Sequence, residues 1–194
     1  VAGALGADNK IAGLSSVSIG SYTKTKGSYS VAIGYNTTAS TIGDIALGNT
    51  ATASGGGTVA LGTQAQTNGL YAVAIGTNSA ANSPSSVALG TNSTASVSGS
   101  VAIGAGSVAN RAAGVAGYDP STKTTSTKVD DSTWTSTAAA VAVGDADEGV
   151  TRQITGVAAG SEDTDAVNVA QLRAATLTAI NTSANTTTVT TDDP

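Results

Sequence analysis

"SVAIGYNTTAS", residues 30–40, passes from a short apolar run through a glycine into small polar residues, and the chain repeats this phrase along most of its length. VSIG stands at 17, VAIG at 31, IALG at 45, VALG at 59, VAIG at 73, VALG at 87 and VAIG at 101, each fourteen residues after the last. A weaker copy, GALG at 3, keeps the same register. Eight consecutive units therefore run from Gly3 to about Gly114, and a fixed period of this kind marks a stacked repeat.

Numbering each unit from its Val places Val or Ile at position 1 and Ile or Leu at position 3, as in Val31 and Ile33, Val73 and Ile75, and Val101 and Ile103. These two positions share one face of a strand, and position 2, on the opposite face, is Ala in all but the unit at Val17 (Ala60, Ala74 and Ala88 among them). Position 4 is Gly throughout, the residue for a corner that needs positive φ or close backbone approach. Positions 7 and 9 are small (Thr37 and Ala39, Ser79 and Ala81) between mostly polar neighbours, which predicts a second short strand with one inward face. Two strands of about five residues and two tight connections use up the fourteen residues. Each unit then makes one turn of a parallel β-solenoid, with neighbours about 4.8 Å apart.

The first strand is apolar on both faces, the mark of a strand covered on both sides. One two-sided coil covers a single face, so the pattern predicts self-association along the rod while leaving open which face is interior and which is the subunit contact. Val31, Ile33, Ala60, Leu61, Val73, Ala74, Ile75, Ala88, Leu89, Val101 and Ile103 are the expected roll core and self-association surface.

Composition agrees with a thin repeat rather than a layered core: no Phe, no Met, one Trp and five Tyr, against 24 Gly. Without His or Cys the usual zinc ligands, the usual general base and the thiol nucleophile are missing, so no cofactor, metal site or catalytic residue is expected. A net charge of −5 supplies no basic stripe for nucleic acid. No run approaches the ~18 apolar residues of a spanning helix, and Val1 does not open a signal peptide. Residues 1–110 hold only Asp8, Lys10, Lys24, Lys26 and Asp44 as ionisable acids and bases, and the composition changes near Arg111.

The period breaks at 115, where VAGYDP replaces the aliphatic third position, and AVAVG at 140–144 lies off the fourteen-residue register. Residues 115–140 thus form an insertion holding the single tryptophan, Trp134, either an exposed aromatic anchor or a strap packed over the rod end or a neighbouring subunit. Beyond it, Glu162, Asp163 and Asp165 precede AVNVAQLRAATLTAI, where Val169, Leu172, Thr176 and Ala179 recur at helical spacing. So thin a stripe predicts a helix that continues as a coiled coil, adding Val169 and Leu172 to the expected self-association core. The expected organisation is solenoid repeats over 1–114, insertion or strap over 115–140, a last strand and connector over 141–165, and the start of a coiled coil with its tail over 166–194.

The SVAIG units resemble the YadA-like heads of trimeric autotransporter adhesins, RQITGVAAGSEDTDAVNVAQLR (152–173) is very similar to the neck that joins such heads to their stalk, and GYDPST…STW resembles an insertion these heads often carry. The resemblance implies an all-β, left-handed parallel β-roll, homotrimeric and followed by a neck and a helical coiled coil, with 1–114 as the head repeats, 115–140 as the insertion, 141–165 as the last head strand and neck, and 166–194 as the start of the stalk with its tail. It also implies display on a Gram-negative cell surface, an outer-membrane anchor in a C-terminal barrel outside this chain, and non-catalytic attachment to host matrix protein (collagen, fibronectin, laminin) or a host-cell receptor. Alternatives are a structural spacer or autoagglutination module and an ice-binding solenoid, although TQA at 63 and TNS at 77 and 91 make no continuous Thr-x-Thr ladder. Solenoid acyltransferases use a six-residue repeat and typically a His base, both missing here. Tyr22, Lys24, Lys26, Tyr29, Tyr71 and Trp134 stand out from the Ser and Thr background as candidate partner-binding residues.

Overall fold

The computed structural model of the chain describes residues 2–175. It divides into two compact units, Val1–Arg152 and Gln153–Pro194.

In the first unit every fourteen-residue repeat makes one coil of a parallel β-solenoid. The first strands of successive coils, from Gly3–Leu5 through Val31–Tyr35 and Val73–Ile75 to Val101–Ile103, stack with Val141–Ala142 into a nine-stranded parallel sheet. The second strands, from Lys10–Ile11 to Val108–Ala109, make an eight-stranded parallel sheet opposite. The register never slips: Val31 pairs with Ile45, Ala74 with Ala88, and Ala81 with Ala95. Backbone hydrogen bonds join each coil to the next, as in Val17 N–H to Ser30 O (3.0 Å), Lys24 N–H to Thr37 O (2.8 Å) and Asn36 N–H to Ser21 O (2.9 Å).

The strands are shorter than the expected five residues. First strands span three residues except at Val17–Ser21 and Val31–Tyr35, and second strands span two. Two corners per coil take the difference. The first combines positive φ at position 4, as at Gly34 (138°) and Gly48 (139°), with a left-handed residue at position 6, Asn36 at 49° and Asn78 at 55° among them; the second turns left-handed at position 13, as at Gly43 (71°) and Ser85 (55°). Both reasons for glycine at position 4 hold: a Cβ on Gly48 would also lie 2.3 Å from the carbonyl oxygen of Gly62 in the next coil.

The inward face is the alanine face. Ala32, Ala46, Ala60, Ala74, Ala88 and Ala102 have no solvent exposure, and they meet the equally buried Ala39, Ala53, Ala81, Ala95 and Ala109 of the second sheet. With only fourteen residues to encircle it, the lumen is too narrow for branched aliphatic side chains, and the largest fully buried side chains are Thr and Asp. Position 14 adds an inward column of Ser16, Ser30, Asp44, Thr58, Ser86 and Ser100. Asp44 is the single charged group in it, and its carboxylate accepts from Thr41 N–H (2.8 Å), Thr41 Oγ1 (2.5 Å), Gly56 N–H (3.0 Å), Thr58 N–H (3.1 Å) and Thr58 Oγ1 (2.9 Å). A buried carboxylate is tolerable only when its lone pairs are satisfied in this way.

Residues 115–140 leave the roll and return to it. A ladder from Ala140 N–H to Arg111 O (3.0 Å), Gly114 N–H to Ser136 O (2.7 Å) and Gly117 N–H to Trp134 O (2.7 Å) closes the base of the excursion. Tyr118–Asp119 and Thr124–Thr125 pair antiparallel at its tip. Val141 and Ala142 then fall into the columns of Val101 and Ala102, so the insertion interrupts the period without disturbing the stack. The guanidinium of Arg152 finishes this end, donating to Ser107 Oγ (3.1 Å), Val143 O (2.5 Å) and Ala105 O (2.5 Å).

In the second unit the described residues form a turn and a helical segment over 169–175. Asn168 Oδ1 accepts from Gln171 N–H (3.0 Å) while Gln171 Oε1 accepts from Asn168 N–H (3.2 Å), a reciprocal cap for two otherwise unpaired helix donors. Just before it, the Asp165 carboxylate accepts from the backbone N–H groups of Ser161 (2.9 Å) and Glu162 (3.1 Å), bonds that hold its pKa below the ordinary value. Thr176, Ala179 and the tail lie outside the described residues.

Candidate functional site

The candidate residues separate into distinct places. Lys24, at position 8 of its coil, stands beside Lys10 of the preceding coil in strict register, and Lys26 follows two residues along the same strand face. Tyr22 and Tyr35 occupy the adjoining corner, their rings edge to face with centroids 5.7 Å apart at 80°. Asp8, Lys10, Tyr22, Lys24, Tyr35 and Asn36 line one shallow open recess, and Asn9, Lys10, Ile11, Ala12, Lys24 and Lys26 line another. Lys10 and Lys24 are common to both.

All three lysines of residues 1–110 therefore gather on one corner of the first two coils. A chain of net charge −5 gives no hint of a basic stripe, yet it has this local one. Like charges directly opposite each other in a sheet repel. Among the described residues none of the three lysines forms an ion pair with a carboxylate. Lys10 and Tyr35 escape a residue-by-residue reading because each looks like an isolated polar exception; aligning the coils by position would have put them beside Lys24 and Tyr22.

Tyr29 and Tyr71 lie elsewhere. Both occupy position 13, with φ of 59° and 58°, and both are exposed, so they mark one corner of the rod three coils apart. Trp134 sits in the excursion, half-buried, with Lys128 Nζ 4.9 Å from its ring centroid.

The outward face of the first sheet holds the aliphatic residues that the lumen cannot. Val31, Ile33, Val73, Leu89 and Val101 are half-buried, and Leu61, Ile75 and Ile103 are exposed at 39, 38 and 44 %. Val169 and Leu172 are exposed in the single chain. Asparagines hydrogen-bond across coils on the polar surface, Asn78 Nδ2 to Asn92 Oδ1 (2.8 Å) and Asn68 Nδ2 to Asn82 Oδ1 (2.9 Å). Among the described residues no group of three or more His, Cys, Asp or Glu could hold a metal ion, and no helix is long and apolar enough to cross a membrane.

Comparison with known proteins bears on both units. The family model for the YadA head domain repeat matches residues 12–37, 26–51, 39–63, 53–79 and 81–107, and the model for the coiled stalk of trimeric autotransporter adhesins matches 153–194. Over 62 residues the chain is 60 % identical to the autotransporter adhesin BadA of Bartonella henselae and 61 % identical to the trimeric autotransporter adhesin AtaA of Acinetobacter sp. strain Tol 5. The match covers 32 % of this chain and 2 % of each of those proteins. Among solved structures, the collagen-binding domain of the Yersinia adhesin YadA superposes with a TM-score of 0.64 at 29 % identity, over 89 % of this chain and 86 % of that one.

Proposed function

The chain belongs to the trimeric autotransporter adhesins with YadA-like heads, and from that premise we propose that it is a head segment that attaches a Gram-negative cell to a host surface, working as a homotrimer. The observation that carries the trimer is the inverted distribution of side chains. Alanine, serine and threonine fill the roll, while valine, isoleucine and leucine form a continuous stripe outside it. A stripe on one face of every coil suits a second and third copy in the same register, each copy burying the stripe of its neighbours. Attachment is non-catalytic in this reading. It uses the polar and aromatic outer corners, three-fold repeated, so that modest contacts gain strength through multivalency. Matrix protein is the favoured class of partner, collagen first, because a structural relative that superposes over 89 % of this chain is a collagen-binding domain.

Sedimentation and a matrix-binding assay test both halves together. The purified chain is expected to sediment at three times its 18.5 kDa and to bind immobilised collagen, or else fibronectin, laminin or cultured cells, equally well with and without EDTA. Ile75→Lys with Leu89→Lys puts two charges per chain into the stripe and is expected to give a monomer with at least tenfold weaker attachment. A wild-type monomer that attaches as well as the family trimers do would sink the reading.

A further inference from the structure

We propose that the corner built from Lys10, Lys24, Lys26, Tyr22 and Tyr35 is a binding site for a linear sulfated polysaccharide, a deepening that rests on the adhesin reading above. The charges are arranged for a polymer rather than for a single ion. Lys10 and Lys24 repeat along the rod at the strand spacing of about 4.8 Å, and Lys26 lies two residues, or about 7 Å, along the strand from Lys24. Anionic groups on successive sugars can meet such a row one after another. Two shallow recesses share Lys10 and Lys24 in their linings, so both sides of the lysine pair are open to a bound chain.

Among the described residues no carboxylate pairs with these lysines to relieve their mutual repulsion. Asp8 lines the same recess without forming an ion pair, and Asp44 is turned into the lumen with its carboxylate engaged by Thr41, Gly56 and Thr58. An external polyanion relieves that repulsion and so gains more than it would on an isolated lysine. Beside the charges, the exposed Tyr22 and Tyr35 offer flat apolar faces to the C–H side of a sugar ring and two hydroxyl groups to its polar edge. The recesses are open, with no enclosed apolar hole of the kind that anchors a peptide side chain, which favours a glycan over an acidic peptide.

The repeat supplies variants that keep the fold. Threonine occupies position 8 at Thr38, serine occupies position 10 at Ser40, and asparagine occupies the left-handed position 6 at Asn36, so Lys10→Thr, Lys24→Thr, Lys26→Ser and Tyr22→Asn each borrow a residue already used in another coil. Circular dichroism and melting of the variants check this directly. The full 194-residue chain is applied to immobilised heparin in a salt gradient, with soluble heparin, hyaluronan, polyglutamate and neutral dextran as competitors, and its attachment to cultured cells is measured alongside. The expected result is retention on heparin at physiological salt, displaced by heparin far better than by polyglutamate and not at all by dextran. The triple lysine variant should bind at least tenfold more weakly with a shallower salt dependence, and Tyr22→Asn a few-fold more weakly with the salt dependence unchanged. Elution of the wild-type chain below physiological salt, equal binding by the triple variant, or equal competition by polyglutamate, which would make an acidic peptide the occupant, overturns the proposal. If heparin binding fails while cell attachment persists, the adhesin reading stands and this proposal alone falls; failure on every host surface takes both.

Discussion

Ala74 and Ile75 are neighbours on one three-residue strand, yet Ala74 is fully buried and Ile75 is 38 % exposed. The same contrast holds at Ala60 and Leu61 and at Ala102 and Ile103. In an ordinary domain the larger apolar side chain would point inward. Here chain length per coil reverses the rule: fourteen residues enclose a lumen that only small side chains fill, so the roll is held chiefly by its ladder of intercoil hydrogen bonds and its close-packed methyl groups. The larger apolar side chains are carried on the outside of the roll, where they contribute little to the stability of the single chain.

The sharpest test of this contrast is Ala60→Leu. Three more carbons in a lumen lined by fully buried small side chains force the coil open, and such overpacking costs about 1–3 kcal/mol or more. Disruption of neighbouring coils should carry the loss further, to a chain without cooperative melting by circular dichroism. A variant that melts like the wild type would mean that the lumen is not packed as described. A middling effect is expected from Asp44→Ala, which leaves Gly56 N–H and the Thr58 N–H and hydroxyl without their acceptor. Each buried donor so orphaned costs roughly 1–3 kcal/mol. Chemical denaturation should show a lower midpoint, with Asp44→Asn recovering part of the loss; equal stability of all three proteins would remove Asp44 from the interior network. The smallest effect is expected on the outside, from Leu61→Ala. By partial burial it is worth roughly 1 kcal/mol per chain in the assembly and less in a dissociated roll. Melting temperatures at high and low protein concentration separate the two, and an equal loss at both would show that Leu61 packs within its own chain.

Much of this fold is legible in the sequence because the period is written in residue type. The tetrad at Val31 fixes the strand, Gly34 the corner and Val73 to Val87 the register. The choice between the two faces of the first strand is not legible from alternation alone, since both are apolar; the width of the lumen decides it. Asp44 reads as an ordinary loop acid until the coils are aligned, when it falls into a column of Ser30, Thr58 and Ser86, all small and all buried. The cap at Asn168 and Gln171 was available as a polar residue followed three positions later by Gln, though the nearby acids at 162–165 draw the eye first. The basic corner is hardest to see. Its lysines come from two coils and two positions, its tyrosines from two further positions, and only stacking makes neighbours of Lys10 and Lys24.

The backbone hydrogen bonds that join one coil to the next have a mechanical consequence. They run along the rod, so tension applied along the same axis pulls each bond straight apart instead of shearing many at once. Coils then yield singly, beginning at an end. A released coil pays out fourteen residues, roughly 45–50 Å of extended chain in place of about 4.8 Å of stacked rod. Under load a head of this construction lengthens stepwise and dissipates force, the behaviour of a tether with a built-in damper.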